Sequence, residues 1–169
     1  SAWSMPATIS ASAWWPIKVA IAFKGDAYGT GLKEVVESGL QFNGQPALMQ
    51  LHTNYEVYDY GNPDDPMTDP PKFDDAVVGL TTFQPDVVLV FGTNESIVDT
   101  PTPSGAGIMH RTEMGWTGMI KPFWIFSDGG VIPEMVSEAK ADGAGDRTRA
   151  TAPGTNNVNF QKFESAYSA

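Results

Sequence analysis

Cysteine is absent from the 169 residues. That excludes disulfides, thiolate-held zinc and cysteine nucleophiles together. Basic residues are scarce. Ten Lys and Arg stand against twenty Asp and Glu, for a net charge of −10. A nucleic-acid binder carries a basic face that neutralises phosphates, and an anionic membrane surface attracts the same kind of patch. The ten cations are scattered along the chain, so neither polyanion is a partner, and the acidity reads as solubility. Long hydrophobic runs are also lacking. Nothing approaches the ~20 apolar residues needed to cross a bilayer, and runs such as Val87-Val88-Leu89-Val90-Phe91 have the length of buried strands. Histidine occurs only twice, as His52 and His110.

The chain does have an alternation of apolar runs and helical stripes. Ile17 to Phe23 forms the first run, and Leu32, Val35, Val36, Gly39 and Leu40 then recur at helical spacing. Gly44 is placed to end that helix. The second strand is expected at Ala47–Leu51. Glu56 to Pro71 holds four prolines and five acidic residues and reads as a surface loop. Phe73, Ala76, Val77 and Leu80 mark the next helix, with Asp74 and Asp75 favourably near its start. The apolar run at 87–91 suits a central parallel strand covered on both faces. A weaker helical pattern follows at Ile108, Met109, Thr112 and Trp116, then a strand at Pro122–Phe126. Val131 to Ala139 form another helix, with Pro133 in its first turn. A short fifth strand is expected near Arg147–Ala152 and a terminal helix over Phe160–Tyr167. Residues 1–16 read as a lead-in segment, and 17–169 as a single α/β domain. The order implies a mostly parallel sheet of about five strands with helices on both faces.

In such sheets ligands bind beyond the carboxyl ends of the strands. Three polar, glycine-containing segments follow strands: Asp26, Tyr28 and Gly29; Gly92, Thr93, Asn94 and Glu95; Ser127, Asp128, Gly129 and Gly130. Their recurrence at one end of three strands marks a candidate site. Gly29-Thr30-Gly31 begins a dinucleotide fingerprint, but Glu34 stands where its last glycine belongs and would oppose a pyrophosphate. No P-loop and no G-x-S-x-G elbow is present, so no cofactor is expected. His52 is expected to end the second strand. His110 has no acidic partner at metal-like spacing. Asp59, Asp64, Asp65 and Asp69 lack the ligand alternation of a calcium loop and read as a plain acidic loop.

Lys18 to Phe23 followed by Asp26-Ala27-Tyr28-Gly29-Thr30-Gly31-Leu32 resembles the start of the second lobe of type I periplasmic binding proteins, in the Leu/Ile/Val-binding branch. Gln84 to Thr93 resembles that lobe's central strand, Phe123 to Gly130 its next strand and ligand turn, and Phe160–Tyr167 the helix that follows. The acidic loop 56–71 and the stretch 97–118 depart from the family pattern. The resemblance implies a flavodoxin-like lobe whose partner lobe is absent from this chain. It implies a non-enzymatic, periplasmic or extracytoplasmic protein, with or without a lipid anchor, that delivers an amino acid or similar small polar solute to an ABC transporter permease. By position it makes Tyr28 a pocket-lining residue, Thr93 a ligand contact and Asp128 the acid that pairs with a substrate ammonium. Asp26, Asn94 and Ser127 join them by placement alone. A ligand-sensing domain of a receptor or regulator shares the same fold, and a small flavodoxin-like enzyme is the third reading.

Overall fold

The computed structural model describes residues 17–97 and 107–151. The expectations for residues 1–16 and for the terminal helix lie outside that range. Strand β1 (Val19–Phe23) leads into helix α1 (Ala27–Gly39). A small antiparallel hairpin follows, β2 (Gln41–Phe42) and β3 (Gln45–Pro46), and then β4 (Tyr55–Asp59). Helix α2 (Phe73–Phe83) returns to β5 (Val87–Phe91). Helix α3 (Ile108–Gly115), β6 (Phe123–Phe126), helix α4 (Pro133–Ala141) and β7 (Thr148–Ala150) complete the described order.

The main sheet is five-stranded and wholly parallel, in the order β4-β1-β5-β6-β7. This is the flavodoxin-like α/β fold that the alternation of patterns predicts. Strand alternation sends Ala20, Ala22, Val88, Val90, Trp124 and Phe126 to one face, where α2, α3 and α4 supply Leu80, Met109 and Ala139. Ile21, Leu89 and Phe91 point to the other face, against Leu32 and Val36 of α1 and Phe42 of the hairpin. Val35, expected in the α1 stripe, faces solvent instead. Among the described residues, no helix is long and apolar enough to cross a membrane.

Three local readings of the sequence are corrected. Ala47–Gln50 is a 3-10 turn, not a strand, and only Ala47 is buried in it, while Leu48 and Met49 are 61% and 71% exposed. The strand partner of β1 is Tyr55–Asp59. Buried Tyr55, half-buried Glu56, Val57 and Tyr58 and exposed Asp59 make the mixed pattern of an edge strand, and the irregular loop therefore starts at Tyr60, not Glu56. Gly44 does not end α1, which stops at Gly39. Asn43 and Gly44 adopt φ of 51° and 79° between β2 and β3, the left-handed pair that a two-residue hairpin requires.

The helical face is tied to the sheet by one buried carboxylate. Glu113 of α3 has a side chain only 2% exposed. It accepts from both guanidinium nitrogens of Arg147 at 2.9 and 3.0 Å and from the Trp124 indole at 2.8 Å, and it pairs with Lys121 at 2.9 Å. Burial opposes its charge, but the bonds from Arg147, Trp124 and Lys121 outweigh it and hold its pKa below the ordinary 4.5. Its contribution to stability is therefore complete above pH 4.5 and fades as pH falls through the lower folded-state value. Glu113→Gln is expected to cost about 1.5–3 kcal/mol near neutrality, the usual worth of charged hydrogen bonds. Urea unfolding of both proteins should show that gap narrowing on acidification, and a gap that does not change with pH would contradict the assignment.

Candidate functional site

The strand order reverses at β1, whose neighbours are β4 on one side and β5 on the other. The carboxyl ends of β1 and β5 therefore flank the topological switch point, where open α/β sheets hold ligands. Two side-chain assemblies occupy this edge.

The first is built on Lys24, the residue after β1. Its backbone N–H continues the sheet by donating to the Phe91 carbonyl at 2.9 Å. Its side chain is 4% exposed and ends in an ion pair with Asp64 and another, at 3.3 Å, with Asp26. Burial alone would lower its pKa. The bonds to Asp64 and Asp26 and the field of Glu95 outweigh burial and raise it above the ordinary 10.5. Asp26 also caps α1, accepting from the Gly29 amide at 2.8 Å. Glu95 lies beyond β5 and accepts from the Tyr60 hydroxyl at 2.8 Å and the Thr93 amide at 3.0 Å, and the Thr93 hydroxyl bonds its second oxygen. Tyr60 is fully buried and stacks on Phe73. Burial and the adjacent Glu95 push its phenol far above the ordinary range, so it remains a donor.

The second assembly joins α1 to the turn after β6. Tyr28, half-buried in the first turn of α1, donates its hydroxyl to Asp128 Oδ1 at 2.5 Å and accepts from the Gly129 amide at 3.2 Å. The backbone is tight here. A Cβ at Gly129 would stand 2.6 Å from the Gly92 carbonyl oxygen, 3.1 Å from the Thr93 methyl and 3.2 Å from the Tyr28 oxygen. The turns after β1, β5 and β6 thus converge on Gly129. Asp128 is exposed and commits one carboxylate oxygen to Tyr28.

Tyr28, Thr93 and Asp128 are therefore brought together at one edge. Thr93 presents its methyl there, since its hydroxyl and amide are engaged by Glu95. Of the residues placed at this edge by sequence position alone, Asp26 is turned toward Lys24 and the α1 cap, and Ser127 is buried with its hydroxyl toward the Gly92 carbonyl at 3.4 Å. Asn94 is exposed in the short turn after β5. Lys24 and Tyr60 were not legible as site residues. The charge of Lys24 follows an apolar run without any local partner, and Tyr60 lies inside a segment that reads as solvated loop.

The histidines lie elsewhere. His52 sits in a turn before β4 with φ of 63°, at the amino end of the sheet, and pairs with Glu56 at 2.8 Å. It does not end a strand or face the carboxyl edge. A depression of about 410 Å³ lies beside it, between β4 and α2, and a smaller one of about 290 Å³ lies between α4 and β7. Neither includes Tyr28, Thr93 or Asp128. His110 does have an acidic partner: its Nδ1 is 2.7 Å from Asp142 Oδ1. The pair spans α3 and the end of α4, which sequence spacing cannot anticipate.

A scan of family models, a search of curated proteins and a search of solved structures each returned no significant match.

Removing the Lys24 charge leaves Asp26, Asp64 and Glu95 facing one another without their shared cation. Lys24→Met, which keeps most of the apolar stem, is expected to lose about 1.5–3 kcal/mol of unfolding free energy. Salt near 1 M cuts the Debye length to ~3 Å, so the deficit should shrink there. Denaturant titration at low and high salt measures both effects, and a deficit unaffected by salt would point to lost packing instead.

Proposed function

We propose that the chain is a ligand-binding lobe of an extracytoplasmic solute-binding protein of the Leu/Ile/Val-binding type. It captures an amino acid or similar small polar solute for an ABC transporter permease, in the periplasm or an equivalent extracytoplasmic space. The observation that carries this reading is the contact of Tyr28 with Asp128 around Gly129, at the switch point of a flavodoxin-like sheet. That contact joins Asp26 to Leu32, which resembles the start of the family's second lobe, to Phe123 to Gly130, which resembles its next strand and ligand turn.

The chemistry is that of holding, not of bond breaking. The Tyr28 hydroxyl fixes one oxygen of Asp128. The other oxygen has no hydrogen-bond partner among the described residues, which leaves it able to accept from a ligand. An ammonium group gives a charge-assisted bond there, stronger than a neutral one. The Thr93 methyl and the closely packed glycine backbone supply a small apolar wall beside it. The edge is open, and Asp128 is exposed on it. An opposing lobe would bury the remaining ligand surface, as tight small-molecule sites require.

Calorimetry against a panel of amino acids tests the proposal. With its opposing lobe the protein should bind a small amino acid or a related ammonium-bearing solute. Asp128→Ala should weaken that binding by ~2–5 kcal/mol, the cost of leaving a buried charge without its partner, or tens- to thousands-fold. The 169-residue chain alone should bind little. Tight binding by the lone chain would contradict the half-cleft reading. An unchanged affinity in Asp128→Ala would exclude the ammonium role.

A further inference from the structure

We propose that His110, Glu138 and Asp142 form a divalent metal site, best suited to Zn²⁺, that clips α3 to the end of α4. The three side chains each offer a ligand atom, and these atoms lie within 4.8 Å of one another. Glu138 in the last turn of α4 and Asp142 at its C-cap are four residues apart, a spacing that brings side chains together on one helix face. His110 reaches them from the neighbouring helix. An imidazole with two carboxylates is a ligand set for zinc and related divalent ions. Bonds of ~2.0–2.2 Å place zinc ligands roughly 3.4 Å apart, which rotation of the half-exposed Glu138 side chain can reach.

A second observation points to a cation. The Asp142 side chain is only 5% exposed, and its Oδ2 is buried without a hydrogen-bond partner. Oδ1 is bound to His110. Buried carboxylate oxygens are rarely left unpaired, because their desolvation is not offset. The Glu138 side chain has no hydrogen bond or ion pair among the described residues, so two carboxylates approach each other here with no lysine or arginine paired to either. A divalent ion bound by Asp142 Oδ2, Glu138 and a ring nitrogen of His110 satisfies the orphaned oxygen and cancels the repulsion, with water completing the coordination. The site is separate from the solute edge. Asp142 follows the last residue of α4, a nine-residue helix of about 13 Å, whose first residue is close in sequence to Asp128.

The test uses the untagged 169-residue chain, freed of metal by a chelator, titrated with zinc chloride in a calorimeter and melted with and without zinc. One equivalent of Zn²⁺ should bind and raise the melting temperature, since the ion binds the folded state. Glu138→Gln and His110→Gln should each weaken binding by at least roughly 10–100-fold, the loss that even outer partners of a metal ligand produce. Glu138 has no partner to lose, so Glu138→Gln should melt like the parent without zinc, which separates metal binding from folding. His52→Gln should bind zinc as the parent does. A folded chain that gives no zinc heat would overturn the site. Binding that survives both Glu138→Gln and His110→Gln, or that falls with His52→Gln, would also overturn it.

Discussion

The carboxyl edge of this protein depends on a lysine ammonium held out of water. Lys24 leaves the end of β1 and is almost entirely covered. A lone buried cation is costly, and the cost is met only if carboxylates come to it. Those carboxylates arrive from three separate segments. Asp26 begins α1, Asp64 lies in the loop after β4, and Glu95 lies in the turn after β5. Two of them have a further task. Asp26 caps a helix, and Glu95 fixes both Tyr60 and Thr93. One charge thus ties the first helix, the acidic loop and the central turn into a single support.

That support leaves the Tyr28–Asp128 pair as the chemically free part of the edge. Thr93 cannot offer its hydroxyl outward while Glu95 holds it, and Ser127 is turned inward. Asp128 is different, because it is exposed and its second oxygen has no hydrogen-bond partner among the described residues. The acidic surplus of the sequence therefore divides into two populations here. Asp26 and Asp64 pair with Lys24, Glu95 is taken by Tyr60 and Thr93, and Asp128 keeps one oxygen without a partner among the described residues. Composition alone cannot make this division.

The fold was legible where burial is two-sided. β1 and β5 lie in the interior of the sheet, so their residues are apolar on both faces and form unbroken runs. β4 is an edge strand, and its mixed pattern of Tyr55, Glu56, Val57, Tyr58 and Asp59 merges into the proline-rich loop behind it. The apolar segment Ala47–Leu51 looks more strand-like, yet Leu48 and Met49 face water and only Ala47 is buried. The candidate edge was legible through Tyr28, Thr93 and Asp128 because parallel topology places every post-strand turn at the same end. Lys24 with Asp64 and Glu95, and His110 with Asp142, were not, because their meeting depends on the three-dimensional return of distant segments.

The most direct measurement is a crystal structure, grown with an amino acid, of the protein together with the opposing lobe that the proposal requires. The account predicts the ligand's ammonium nitrogen within ~3 Å of an Asp128 carboxylate oxygen, with the Tyr28 hydroxyl still holding the other and the Thr93 methyl in contact. A ligand seated instead in the depression beside His52 and Glu56, or one whose ammonium group lies away from Asp128, would contradict it.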